Sequence, residues 1–138
     1  LTTLAAFLSS KVSTLNDLDR EVGDGDTGES IQRSLCYLST HNILNRLDAP
    51  NSLAKFSDLG EVIANESAGS LGTILGRFFE AVGSKLHPKP KDNDQKTWAE
   101  AFKFGINVVK AIGKCELGDR TVLDVLVPIS DTLSGEEV

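Results

Sequence analysis

Apolar residues recur at helical spacing along nearly the whole chain, and no segment alternates apolar and polar residues between turns. Six stripes mark helices. Leu4, Leu8, Leu15 and Leu18 define a first, and Ile31, Leu35 and Leu38 a short second. Leu53, Phe56, Leu59 and Ile63 define a third, and Leu71, Ile74, Leu75, Phe78, Phe79 and Val82 a fourth with a wide apolar face. Trp98, Phe102, Val109 and Ile112 give a fifth, and Val122, Val125, Leu126, Ile129 and Leu133 a sixth. A kink is expected in the sixth, because Pro128 cannot donate to the carbonyl of Asp124. The joins at 40–51, 88–96 and 113–119 are polar or glycine-bearing and read as loops. With 138 residues, the expectation is one all-α domain of antiparallel helices.

Aromatics make up only 6% of the chain, so the core is expected to be mostly aliphatic. The net charge of −6 argues against nucleic acid and anionic membrane as partners. It leaves a nucleotide open, because a bound metal inverts the local charge. Cys36 and Cys115 form no C-x-x-C pair and read as free thiols of a reducing cytoplasm. No apolar run is long enough to span a bilayer. There is no methionine, even at position 1, so the chain is expected to begin inside a longer reading frame.

The segment 15–30 reads L-N-D-L-D-R-E-V-G-D-G-D-T-G-E-S. Asp19, Asp24 and Asp26 stand at D-x4-D-x-D spacing, with Gly23, Gly25 and Gly28 around the last two. Glycines let the backbone fold sharply, and crowded carboxylates repel and raise each other's pKa unless a cation sits between them. A hard divalent ion resolves the conflict, and Mg2+ commonly joins such carboxylates to a phosphate. Asp and Gly are also ordinary turn and helix-cap residues, but three of each within ten positions weigh toward metal. An EF-hand does not fit: counted from Asp24, Glu29 stands where Gly is needed and Leu35 where a bidentate Glu is needed.

Residues 67–76, S-A-G-S-L-G-T-I-L-G, enter the fourth helix. Gly69, Ser70 and Gly72 can leave backbone N–H groups open to phosphate at a helix start. Small residues there equally permit close helix packing, and Gly72 and Gly76 are expected to face a neighbouring helix. The stretch is neither a P-loop nor a dinucleotide fingerprint. In K-C-E-L-G-D-R-T-V-L-D, residues 114–124, Asp119 or Thr121 serves either as a cap for the sixth helix or as a ligand. His41 and His87 sit in loops far from every cluster and read as solvated.

Together these segments resemble the nucleotide-binding L domain (DhaL type) of dihydroxyacetone kinases. The shared pattern is L-x-x-L-D-x-x-x-G-D-G-D-x-G, then a Gly/Ser-rich helix start running into G-x-F-F, then G-D-[KR]-T-x-x-D. The resemblance implies an up-and-down barrel of eight antiparallel helices, here truncated at its C-terminal end, with residues 1–138 as one incomplete domain. It implies ATP or ADP held by two Mg2+ ions on Asp19, Asp24 and Asp26, with Thr27, Gly69, Ser70, Gly72 and Thr121 against the nucleotide. It implies a kinase that needs a separate dihydroxyacetone-binding K domain or subunit, with a phosphotransferase M subunit as a further partner in some systems, and a cytoplasmic location. The chain departs from the pattern at Ala68, Leu71, Glu29, Ser30, Leu117 and Val122. Other readings within the resemblance are a nucleotide-loaded regulatory module, a triokinase/FMN cyclase and a fatty-acid kinase domain.

Overall fold

The computed structural model describes residues 2–40, 55–67, 69–86 and 95–135. Among these there are seven helices and no strand. They are α1 (Thr2–Ser9), α2 (Val12–Arg20), α3 (Thr27–Thr40), α4 (Lys55–Glu66), α5 (Gly69–Leu86), α6 (Gln95–Gly113) and α7 (Leu123–Ser134). Leu53, Ala68, His41 and His87 lie outside the described residues.

The expected first helix is two. At the junction the Ser10 N–H is shared between the carbonyls of Ala6 and Phe7, and the Ser10 hydroxyl donates to Phe7 O at 2.7 Å. The Lys11 N–H then reaches Leu8 rather than Phe7. A serine side chain thus competes with the backbone ladder and tightens the last turn of α1. Two of the loop boundaries also move. Helix α3 runs through Thr40, and α6 already begins at Gln95.

Helices pack mainly on their neighbours in sequence, in up-and-down order: α2 on α3, α3 on α4, α4 on α5, α5 on α6 and α6 on α7. The closest seam joins α4 to α5. A Cβ on Gly76 would stand 2.6 Å from Ala64 Cβ and 2.7 Å from Gly60 O, and one on Gly83 would stand 2.4 Å from Ser57 N. Glycines at 60, 76 and 83 let two antiparallel backbones meet almost in contact. The partners run Ser57 with Gly83, Gly60 with Glu80, and Ala64 with Gly76.

The core cluster comprises Phe78, Val82 and Leu86 of α5, Ala101, Ile106 and Val109 of α6, and Leu123 and Leu126 of α7. The aliphatic expectation holds for most of these, but the centre is aromatic. Phe78 meets Phe79 and Phe102 edge-on at 5.4 and 5.2 Å, and Phe56 meets Phe79 and Trp98 at 6.1 and 5.4 Å. The few aromatics are concentrated where α4, α5 and α6 converge. Several stripe positions expected inside are exposed: Leu18, Leu71, Ile112, Val125 and Ile129. On α7 the reason is plain, since packing on α6 buries Leu123, Leu126 and Ser130 and turns Val125 and Ile129 the other way. No described helix is long and apolar enough to cross a membrane.

Candidate functional site

Up-and-down order places the α2–α3, α4–α5 and α6–α7 turns at one end of the assembly. These turns carry the three sequence motifs. Their proximity can be followed atom by atom. Thr27 and Ser30 of α3 share a crevice with Ser67, Leu71 and Gly72 at the α4–α5 corner. A Cβ on Gly113, where α6 ends, would stand 4.0 Å from Ile74 of α5. The crevice has about 40 Å³ of room, enough for a water or two and far too little to enclose a nucleoside. A larger groove lies at the opposite end, between the start of α6 and the end of α7. Its lining of Lys96, Glu100, Lys103 and Ser134 includes none of the predicted site residues.

Asp19, Asp24 and Asp26 each bring one carboxylate oxygen to within 4.8 Å of the others. Asp19 comes from the last turn of α2, whereas Asp24 and Asp26 come from the turn that follows. Gly25 between them has φ +80°, a left-handed conformation that a side-chain-bearing residue adopts only with strain. A Cβ on Gly23 would lie 2.5 Å from Asp19 Oδ1. Both glycines are therefore what lets the turn close over Asp19.

The three acids are not equivalent. Asp26 follows the expectation of mutual repulsion: burial comes first and the Asp24 charge second in pushing its carboxyl above the ordinary value. Asp19 goes the other way. Partial burial acts to raise it, but N–H groups of Gly25, Asp26 and Thr27 donate to its carboxylate, and together they hold it below the ordinary range. All three converge on Oδ2, at 2.8, 3.0 and 3.4 Å.

Asn16, which no motif argument singled out, continues this pattern. Its Oδ1 accepts from Gly28 N at 2.7 Å and Glu29 N at 3.4 Å. Asn16 and Asp19 are three residues apart on α2, so they share a face. The first turn of α3 is thus capped by the preceding helix and not by its own flanking residue. That signal was available only as an i, i+3 polar pair. The consequence for anion binding is direct: the N–H groups that open α3 are already occupied, so they are not free to receive a phosphate. At α5 the start is different. Gly69 has φ +85° and open space around its Cα, and Ser70 beside it is exposed. Gly72 is buried against Ser67, as close packing predicts, and Gly76 faces α4.

Thr121 and Asp119 both have local partners. The Thr121 hydroxyl accepts from Leu123 N at 3.2 Å, while Asp124 returns Oδ2 to Thr121 N at 2.7 Å and Oδ1 to Gly118 N at 2.8 Å. This reciprocal pair fastens the turn that leads into α7, whose own N-cap, Val122, has no side-chain acceptor to offer. Asp119 Oδ2 accepts from Glu116 N at 2.8 Å. The loop is wound tightly, with Lys114 at φ 49° and Arg120 at φ 58°.

An antiparallel helical domain with an acidic trio gathered at one end is the class that fold and site define. Residues 21–138 match the DAK2 domain family, and the chain belongs to that family, in its DhaL type. The dihydroxyacetone kinase of Citrobacter freundii is 34% identical over 132 residues, covering 94% of this chain and 22% of the kinase. Its crystal structure in complex with AMP-PNP and Mg2+ matches 96% of this chain and 24% of that one, with a TM-score of 0.77. The ADP-binding subunit DhaL of the PEP-dependent dihydroxyacetone kinase 2 of Listeria innocua is 26% identical over 97% of this chain and 62% of the subunit. The triokinase/FMN cyclase of Rattus norvegicus is 33% identical over 81% of this chain and 19% of that protein. The chain therefore spans about a fifth of the length of the single-chain kinases it matches.

Proposed function

We propose that this domain binds ATP or ADP through two Mg2+ ions carried by Asp19, Asp24 and Asp26, and that it presents the terminal phosphoryl group to dihydroxyacetone held by a separate K domain or subunit. The observation that carries this reading is the convergence of three carboxylates, from two sides of one turn, to within 4.8 Å. Oδ2 of Asp19 is committed to the turn, which leaves Oδ1 as the oxygen assigned to an ion. The ions, when bound, supply charge neutralisation at the phosphates, the main requirement of phosphoryl transfer. Thr27, at the rim of the crevice, and Gly69 and Ser70, at the open start of α5, are assigned to the phosphates. Gly72 lets α5 approach closely enough for them to do so. Thr121 is assigned to the wall beside the base. Residues 1–138 act in this reading as one L-type domain of a cytoplasmic enzyme.

The triose is assigned to the partner, as the resemblance implies. A second reading is favoured by the match along 97% of this chain to a subunit described as ADP-binding and PEP-dependent. In it, ADP stays bound and the phosphoryl donor is phosphotransferase-linked, or the loaded domain contacts a regulatory protein. Calorimetry separates the common core from its failure. ADP should bind with Mg2+ and lose nearly all affinity in EDTA, because uncompensated carboxylates repel the diphosphate. Equal affinity with and without the metal would overturn the proposal. Triose phosphate formed from ATP, or only from a phosphotransferase donor, then assigns the chain to one reading or the other.

A further inference from the structure

Five consecutive main-chain N–H groups, from residue 25 to residue 29, all end on two side chains of α2. Asp19 Oδ2 receives those of Gly25, Asp26 and Thr27, and Asn16 Oδ1 those of Gly28 and Glu29. Asp19 belongs to the acidic cluster. Asn16 does not: it is 7% exposed, and its Nδ2 turns toward Glu29 Oε1 at 3.5 Å. The first turn of α3 lies flush on α2 at this point. A Cβ on Gly28 would stand 2.2 Å from Val12 O and 2.7 Å from Asn16 Oδ1. Gly28 is buried, so its N–H has no solvent to turn to if the amide is removed. The position of α3 along α2 in turn sets where Asp26 and Thr27 stand relative to Asp19.

We propose that Asn16 is the positioning residue of the cation loop: it touches neither ion nor nucleotide, but it holds the start of α3 so that Asp26 and Asp24 meet Asp19. This rests on the Mg-nucleotide reading above and adds to it a residue in the middle of α2. Partners that orient a metal's ligands typically change its affinity by about 10–100-fold when removed. An Asn at this place supplies the acceptor that Gly28 needs without adding a fourth negative charge to the cluster.

The test compares Asn16→Ala, Asn16→Asp and Ile106→Val with the unmutated chain, each checked for helicity. Ile106 is a core residue of α6 outside the site and controls for a general loss of stability. Two quantities are read: Mg2+-dependent ADP affinity well below the melting temperature, and amide exchange of residues 25–29 without ligand. Asn16→Ala should weaken Mg·ADP by about 10–100-fold and deprotect residues 25–27 as well as Gly28 and Glu29. Asn16→Asp, which keeps the acceptor, should restore protection and most of the affinity, and Ile106→Val should leave affinity unchanged. Unchanged affinity in Asn16→Ala, exchange confined to residues 28 and 29, or an equal loss in Ile106→Val would each overturn the proposal and leave Asn16 a local cap. Failure of the unmutated chain to bind Mg·ADP would instead sink the nucleotide reading. Exchange at residues 25–27 in Asn16→Ala, measured without ligand, would still decide whether Asn16 holds the loop.

Discussion

Asp19 carries two demands. Oδ2 organises the turn through three N–H groups, and the carboxylate also belongs to the acidic cluster. The neighbouring acids carry only the second demand, which separates their mutants. Asp26→Asn should abolish Mg2+-dependent ADP binding and leave the melting temperature of the ligand-free protein unchanged or raised, since repulsion from Asp24 is relieved. Asp19→Ala should abolish binding and also lower that temperature, because three N–H groups lose their acceptor. Thermal melts without ligand, run beside calorimetry, read both effects. Equal ligand-free melting of the two variants would contradict the division of labour. At the other end of the chain, Asp124 accepts N–H groups from Thr121 and Gly118, and these hold its carboxyl below the ordinary value. A depressed carboxylate contributes stability that is complete above its unfolded pKa and is lost as pH falls through the folded one. Stability of the parent should therefore fall on acidification below about pH 4 more steeply than that of Asp124→Asn, as followed by denaturant melts at stepped pH. That Asp19, Asp24 and Asp26 gather was legible in their spacing. The capping by Asp19 was not, because it depends on α2 and α3 meeting side by side, and spacing along the chain does not report which helix lies across from which.

At the level of elements, the seam between α4 and α5 is set by residues with no side chain. Gly76→Leu would drive a branched group into Ala64 and the Gly60 carbonyl, which are backbone and near-backbone atoms that cannot swing aside. A loss of about 1–3 kcal/mol or more is expected from such overpacking, read from urea melts. A neutral outcome would mean that the two helices separate freely. Apolar periodicity located both helices, and the G-x-x-x-G spacing of Gly72 and Gly76 pointed to a neighbour without saying which. The break between α1 and α2 went unread for a different reason. The leucine stripe continues through it in phase, so apolar spacing does not register the tightening at Ser10.

For the molecule as a whole, the aromatic chain from Trp98 through Phe56, Phe79 and Phe78 to Phe102 ties α4, α5 and α6 into one body. Phe78 is 1% exposed at its centre. Phe78→Ala should cost about 3–5 kcal/mol, a large share of the 5–15 kcal/mol typical of a domain, and equilibrium unfolding would measure it. A loss below that of a surface substitution would place the core elsewhere. Composition alone pointed to an aliphatic interior, because a percentage does not say where a few large rings gather. The three turns that share one end were, by contrast, foreseeable as soon as the helices were counted.

Pinning the backbone of the acidic turn to α2 also bears on which ion it suits. A turn already tied at five successive N–H groups needs no ordering when a cation arrives, and it is equally unable to spread. Ca2+ takes six to eight oxygens at roughly 2.3–2.6 Å, whereas Mg2+ is content with a near-octahedral set at about 2.0–2.1 Å completed by water and phosphate. On the proposed Mg-nucleotide reading, few protein oxygens on such a frame would favour the smaller ion, and discrimination by size would follow from the way one helix is fastened to the next.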